Sequence, residues 1–302
     1  MPIQPVAYAL YDEDFDAFAR ALGASFERYG FAVVEGHGID DGLIARAEAA
    51  MRAFFALPEP AKRRYQVAGA AGQRGYVPFG IETAKGAAHP DLKEFWHVGR
   101  EGAGRRANLW PDEVADFHPA IAALYASFDG LGRRLLAAVA AHLGLPPEHF
   151  ADAVFEGESI LRLLHYPPTD GAGPAIRAGA HEDINAITLL LGAEEAGLEL
   201  LDRDGRWLAV NPAPGALVVN IGDMLQRLTN HRLPSTTHRV VNPAPERRGV
   251  ARYSMPFFLH FRADYLIRTL DACVGEAAPD RYPEPITAGD YLAERLQEIR
   301  LA

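Results

Sequence analysis

Thiols are almost absent from this chain of 302 residues, which has one cysteine, Cys273. That excludes an intrachain disulfide framework and any multi-thiolate zinc site. Long apolar runs are missing too. No stretch approaches the roughly 18 uninterrupted apolar residues of a membrane-crossing helix. Asp12, Glu13, Asp14 and Asp16 precede any run long enough for a signal peptide, so the expected location is the cytoplasm, without a membrane partner. Positive charge is in short supply, with 30 Lys and Arg against 40 Asp and Glu, a net charge of −10. Such a surface repels phosphate backbones and makes nucleic acid a poor partner. The few basic clusters, Lys62-Arg63-Arg64, Arg105-Arg106 and Arg247-Arg248, are expected on solvated faces or loops. There is no Gly-x-Gly-x-x-Gly between a strand and a helix and no Gly-x-Ser-x-Gly elbow, and no motif surrounds Cys273. A Rossmann cofactor site and a nucleophilic hydrolase are both poorly supported.

What the chain does have is core-forming material. Its hydrophobic fraction is 49%, with 15 Phe, 11 Tyr and 3 Trp, and at this length about 75% of the unfolded surface can be buried. Phe15, Phe18, Ala19, Leu22 and Phe26 recur at helical spacing and predict a helix stopping near Gly30. Phe31 to Val34 reads as a strand before the Gly36-His37-Gly38 turn, and Asp40 or Asp41 caps a second helix that runs to Pro58. Residues 66–110 read as loops with short strands. One apolar stripe from Phe117 to Val139 predicts a long helix ending near Gly144. Beyond residue 155 the character changes to short apolar runs at 160–166, 186–191, 198–201, 207–210, 217–220, 237–241 and 253–261, punctuated by turn signals. This predicts a mainly β core of sandwich or barrel type, with a jelly roll as natural candidate and a terminal helix over 288–301. With no repeat and no low-complexity linker, the helical half is expected to pack on the β half as one unit.

Histidine is the residue type to follow, because 11 are present. His181 and Asp183 stand at the head of the run Ile184 to Leu190. If that run is a strand, the two side chains share a face and Glu182 points to the other. Alone the pair means little, since on the order of one such pair is expected by chance at this composition. A hydrogen-bonded pair at a strand end is the plain alternative. His238, 57 positions beyond His181 on another expected strand, changes the balance. Two imidazoles and one carboxylate, with positions left open, form the ligand set of non-haem Fe(II) oxygenases.

With these residues in place the sequence resembles the isopenicillin N synthase-like family of Fe(II)/2-oxoglutarate-dependent dioxygenases over nearly its whole length. The resemblance is carried, in order, by Gly30 to Val34 with His37-Gly38-Ile39, by Arg162-Leu163-Leu164-His165-Tyr166-Pro167-Pro168, and by His181-Glu182-Asp183. Asn220-Ile221-Gly222-Asp223, His238-Arg239-Val240 and Arg252-Tyr253-Ser254 complete it. It implies a double-stranded β-helix (jelly roll) core over 151–265, an N-terminal helical region over 1–150 and a C-terminal extension over 266–302. It also implies iron ligation by His181, Asp183 and His238. Arg252 and Ser254 match the pair that binds the distal carboxylate of 2-oxoglutarate, and Tyr166 matches a tyrosine that adds a hydrogen bond there. A planar guanidinium suits that carboxylate in a way lysine cannot.

The implied cofactors are Fe(2+), 2-oxoglutarate and O2, and the implied activity is hydroxylation of a small molecule with release of succinate and CO2. Some relatives carry out ring closure, desaturation or ethylene formation, a few without 2-oxoglutarate. A jelly roll that binds a ligand without turnover, and zinc in the same ligands, are the remaining alternatives. A monomer is expected, as for many relatives.

Departures from the family pattern are Leu164, where many plant members have Asn, and Glu182, where Thr is common. The segment from His238 to Arg252 looks longer than usual, which suggests an extended hairpin loop. His97, in a segment that approaches the substrate in relatives, is a pocket candidate together with Tyr76 and Phe79. The Gly75–Gly80 stretch that holds those aromatics reads equally well as a pocket loop or as a turn with its rings in the core. The other histidines, His260 included, read as surface or packing residues.

Overall fold

Two aspartates start the first long helices. Asp14 accepts from the Ala17 N–H at 2.9 Å and Asp40 from the Leu43 N–H at 2.7 Å, each supplying a partner to an otherwise orphaned helix-end donor. The computed structural model describes residues 3–69, 72–83, 89–102, 105–169, 175–191 and 197–298. After the single turn α1 (Leu10–Glu13), Asp14 opens α2 (Phe15–Tyr29), which Gly30 ends at φ 65°. Asp40 opens α3 (Asp41–Phe55), and α4 (Glu59–Arg63) follows. The long α5 (Phe117–His142) packs against both α2 and α3. α6 (Ala151–Val154) leads into the β half.

Nine strands form the large sheet. Its order is β1 (Pro5–Ala7), β2 (Phe31–Glu35), β10 (Leu217–Ile221), β7 (Ile187–Leu191), β13 (Pro256–Leu259), β5 (Ile160–Tyr166), β4 (Glu94–Gly99) and β3 (Gly75–Val77), with β12 (Arg252–Ser254) also pairing β5. The smaller sheet runs β6 (Ala178–His181), β11 (His238–Val240), β8 (Leu198–Leu201) and β9 (Trp207–Ala209). Each of these pairs is antiparallel apart from β1–β2. The fold is the jelly roll with helical additions expected above. A short pair, β14 (Leu266–Ile267) with β15 (Ile286–Thr287), leads into α8 (Ala288–Glu298). The helix α7 (Asp223–Leu228) follows β10.

Strand alternation sorts the large sheet into two faces. Leu217, Val219 and Ile221 of β10 and Leu161 and Leu163 of β5 join the core that the helices cover. Val218, Leu164 and Tyr166 point the other way. There they meet Ala178, Leu198, Leu200 and Val240 of the small sheet in a second apolar cluster between the sheets. No described helix is long and apolar enough to cross a membrane.

Four expectations need correction. The run from Ile184 is a strand only from Ile187, so Asp183 sits in the loop after β6 and strand alternation is not what brings it to His181. The run at 253–261 breaks at Met255 into β12 and β13. Residues between His238 and Arg252 do not close a hairpin, because β11 belongs to the small sheet and β12 to the large one. Lys62 is buried rather than solvated, with Nζ 2.7 Å from Glu94 Oε2.

Candidate metal centre

β6 and β11 pair with His181 directly opposite His238, which brings the two rings to a centroid separation of 4.4 Å. Each ring donates from Nδ1 to a backbone carbonyl two residues earlier, His181 to Gly179 at 2.7 Å and His238 to Thr236 at 3.1 Å. The remaining nitrogen of each ring, Nε2, therefore carries a lone pair, and each Nε2 lies 3.8 Å from Asp183 Oδ1. Burial, followed by the neighbouring His238, pushes the His181 pKa down to about 4, so its ring is neutral and ready to ligate.

The loop holding Asp183 is pinned from several sides. Its carbonyl accepts from the Asp223 N–H at 2.7 Å, while Oδ2 accepts from Thr188 Oγ1 at 2.5 Å and Asn220 Nδ2 at 2.8 Å. Burial would raise the Asp183 pKa, but His238, His181 and these two donors hold it below the ordinary value. Gly222 gives the loop its room, because a Cβ there would lie 2.1 Å from the Asn185 carbonyl oxygen. Asn220 and Gly222 both belong to the segment singled out from sequence. Three ligand atoms, one from each of His181, Asp183 and His238, lie within 4.8 Å of one another. Two imidazole nitrogens and one carboxylate oxygen fit Fe(II) with positions left open.

Behind the triad, Arg252 stands in register with Tyr166, and Ser254 with Leu164. Arg252 and Ser254 are buried, and Arg252 Nη1 donates to Ser254 Oγ at 3.2 Å. The Arg252 guanidinium carbon lies 5.1 Å from the centre of the Tyr166 ring. Tyr253 turns outward and stacks on His165, which reaches Glu94 at 2.7 Å on the face away from Tyr166.

Residues 157–261 match the 2OG-Fe(II) oxygenase superfamily, and residues 3–113 match the family described as non-haem dioxygenase in morphine synthesis N-terminal. A 2-oxoglutarate-Fe(II) type oxidoreductase of Emericella nidulans is 36% identical over 286 residues, covering 89% of this chain and 80% of that protein. The chain belongs to the 2OG-Fe(II) oxygenase superfamily. A 2OG-Fe(II) oxygenase family protein from Caulobacter crescentus superposes with a TM-score of 0.91 at 57% identity, covering 98% of this chain and 99% of its own. A full-length Neurospora crassa protein, crystallised in complex with alpha-KG, gives a TM-score of 0.90 at 28% identity, covering 98% and 95%. The present chain is an Fe(II)- and 2-oxoglutarate-dependent oxygenase.

The oxygenase holds a cavity of about 410 Å3 above the triad, with His181 and Asp183 in its wall. β5, β4 and β13 each turn a face into it. Arg162 shares the strand face of Leu164 and Tyr166, and His97 that of Phe95. Phe258 and His260 alternate with the core residues Phe257, Leu259 and Phe261. Leu292 and Leu296 of α8 close another side. His97 thus reaches the cavity. Tyr76 instead lies in the helix-covered core with its hydroxyl bonded to Glu94, and Phe79 is half exposed. Neither lines the cavity, because Tyr76 pairs with Trp96 and shares its core-facing side while Phe79 lies beyond the end of β3.

One side of the cavity's polar wall is charge-balanced, while Glu182, Asp223, Glu298 and Arg295 line it elsewhere. Lys93 Nζ bridges Glu82 at 2.7 Å and Asp91 at 2.8 Å, and Arg162 Nη1 reaches Glu82 at 3.2 Å. Arg162 Nε donates to His97 Nε2 at 2.5 Å, and His97 Nδ1 donates to the Gly72 carbonyl at 2.6 Å. Burial and then Arg162 push the His97 pKa well down, which keeps that ring neutral. Phe258 and His260 are cavity residues that no motif marks, and Arg162 stands in a motif that gave it no role. Their signal was strand parity alone, readable only once the partner faces were known.

Proposed function

We propose that His181 Nε2, Asp183 Oδ1 and His238 Nε2 ligate Fe(II), and that Arg252 and Ser254 hold the distal carboxylate of 2-oxoglutarate with Tyr166 beside them. A small, polar organic molecule is then hydroxylated in the cavity. The observation that carries this reading is the split at Asp183, where Oδ2 is occupied by Thr188 and Asn220 while Oδ1 faces two imidazole lone pairs. When bound, iron and 2-oxoglutarate supply the oxidising chemistry, converting O2 and the oxo acid into succinate and CO2 as the substrate gains oxygen.

The chain's own residues orient and shield. The Gly179 and Thr236 carbonyls fix which nitrogen each ring presents, as outer partners of metal ligands do. Phe258, Leu292 and Leu296 exclude water, and His260 offers a hydrogen bond beside the metal. Glu82 and Asp91 balance Lys93 and Arg162 on one side of the wall, while acidic groups outnumber Arg295 on the rest, which disfavours a net negative ligand. The Neurospora crassa protein has also been solved with alpha-KG and thymine, a ring of a size that such a cavity holds.

Anaerobic addition of 2-oxoglutarate to the Fe(II) protein is expected to raise a weak metal-to-ligand charge-transfer band, and its absence overturns the reading. A panel of small uncharged, zwitterionic and cationic compounds, assayed for 2-oxoglutarate-dependent succinate, identifies the substrate. Removing an outer partner of the metal, as in Asn220→Ala, is expected to weaken Fe(II) binding by roughly 10- to 100-fold, read by competition with a metal chelator. His260→Leu is expected to raise KM for the prime substrate by about tenfold, the worth of one hydrogen bond, and to leave 2-oxoglutarate affinity unchanged.

A further inference from the structure

Arg177, the residue before β6, is 1% exposed and makes one protein hydrogen bond, from Nη2 to the Val250 carbonyl at 3.0 Å. Its Nε and Nη1 are buried with no partner, and no carboxylate among the described residues pairs with it. Two other buried cations are compensated, Lys93 by Glu82 and Asp91 and Arg162 by Glu82. Arg177 also has a like-charged neighbour. Burial and then repulsion from Arg252 push its pKa below the ordinary value, while Tyr166 acts in the opposite sense. A guanidinium cannot escape by losing its proton. Arg177, buried with unmet N–H groups beside a second guanidinium, is therefore stable only with an anion at hand.

The backbone around Arg177 is held in advance. The Ala175 carbonyl accepts from Asn242 Nδ2 at 2.8 Å and the Ile176 carbonyl from the Leu92 N–H at 3.1 Å. The Val250 carbonyl that anchors Nη2 lies two residues before Arg252, which ties the two arginines to one short segment. We propose that Arg177 is a second guanidinium for the distal carboxylate of 2-oxoglutarate, acting with Arg252, and that its unmet donors belong to that anion. This rests on the co-substrate assignment to Arg252 and Ser254 given above. A dicarboxylate product, succinate, meets the same pair of cations.

The test compares 2-oxoglutarate with 2-oxovalerate, which has the same chain length and chelating end but a methyl group in place of the distal carboxylate. Binding to wild type, Arg177→Met and Arg177→Lys is read from the charge-transfer band of anaerobic Fe(II) protein. Thermal shifts of the metal-free proteins with succinate give a readout independent of iron. Arg177→Met is expected to raise the 2-oxoglutarate Kd by at least about tenfold, the scale of a charge-assisted contact, while 2-oxovalerate stays within about twofold. The succinate shift is expected to shrink, and Arg177→Lys, which keeps the charge without the fork, should fall between. A loss of equal size on both oxo acids, or none on either, overturns the role of Arg177 and assigns it to bracing Val250. A wild type that does not saturate with 2-oxoglutarate overturns the co-substrate assignment beneath it.

Discussion

Asp183→Ala is expected to lower 2-oxoglutarate-dependent succinate formation by at least about a thousand-fold, or about 4 kcal/mol in barrier terms. Asp183 is the one anion in the triad, and its Oδ1 is the atom shared at 3.8 Å by both imidazoles. Removing it leaves two neutral nitrogens, a set too weak to hold Fe(II) in water against exchange. The same change strips the acceptor from Asn220 Nδ2 and from Thr188 Oγ1, both buried, so some loss of stability accompanies the loss of metal. Iron content after anaerobic reconstitution, the 2-oxoglutarate charge-transfer band and a thermal melt separate the two effects. Retention of more than about a tenth of wild-type turnover by a folded Asp183→Ala protein would remove Asp183 from the ligand set.

The second large effect lies away from the metal. Lys62→Met is expected to destabilise the fold by about 3–5 kcal/mol, because it leaves the Glu94 carboxylate buried without its cation. Lys62 Nζ sits 2.7 Å and 2.9 Å from the two Glu94 oxygens, and both side chains are less than a tenth exposed. Glu94 also accepts from Tyr76 and from His165 Nδ1. At this chain length the loss corresponds to a fall of roughly 5–10 °C in Tm by calorimetry. Lys62→Met combined with Glu94→Gln is expected to recover part of it, since the uncompensated charge disappears. A Tm unchanged in the single variant would mean that the pair contributes nothing.

The pair also sets an acid limit. Burial raises the Glu94 pKa, but hydrogen bonds from His165, Lys62 and Tyr76 outweigh it and hold the group below its ordinary 4.5. A carboxylate with a depressed folded-state pKa stabilises fully above that ordinary value. The contribution is lost as pH falls from about 4.5 through the lower folded-state value. The wild type is therefore expected to lose Tm on acidification below about pH 4.5, more steeply than a Glu94→Gln variant, which has no proton to take up there.

Periodicity by itself determined much of this molecule. The stripes of α2, α3 and α5 are helix-spaced because one face of each is buried, α2 and α5 against the sheet and α3 against α5, and β5, β7, β8 and β10 are legible as short apolar runs bounded by turns. The proposed metal ligands and the proposed Arg252, Ser254 and Tyr166 set come from residue type, order and resemblance, since that chemistry leaves little choice of side chain.

β6 escaped notice because Ala178-Gly179-Ala180-His181 has no hydrophobic period of its own; pairing with β11 makes it a strand. Lys62 read as part of a solvated basic run because its partner Glu94 lies 32 residues away on β4. Arg162 and His260 stayed hidden for a related reason. Whether a strand residue faces core or cavity is a matter of parity, and parity acquires meaning only when the neighbouring sheet and helices are in place. Local spacing decided most of the elements, and residue type decided which atoms can bind metal. Tertiary packing decided which charges are buried together, because that depends on distances the chain closes only on folding.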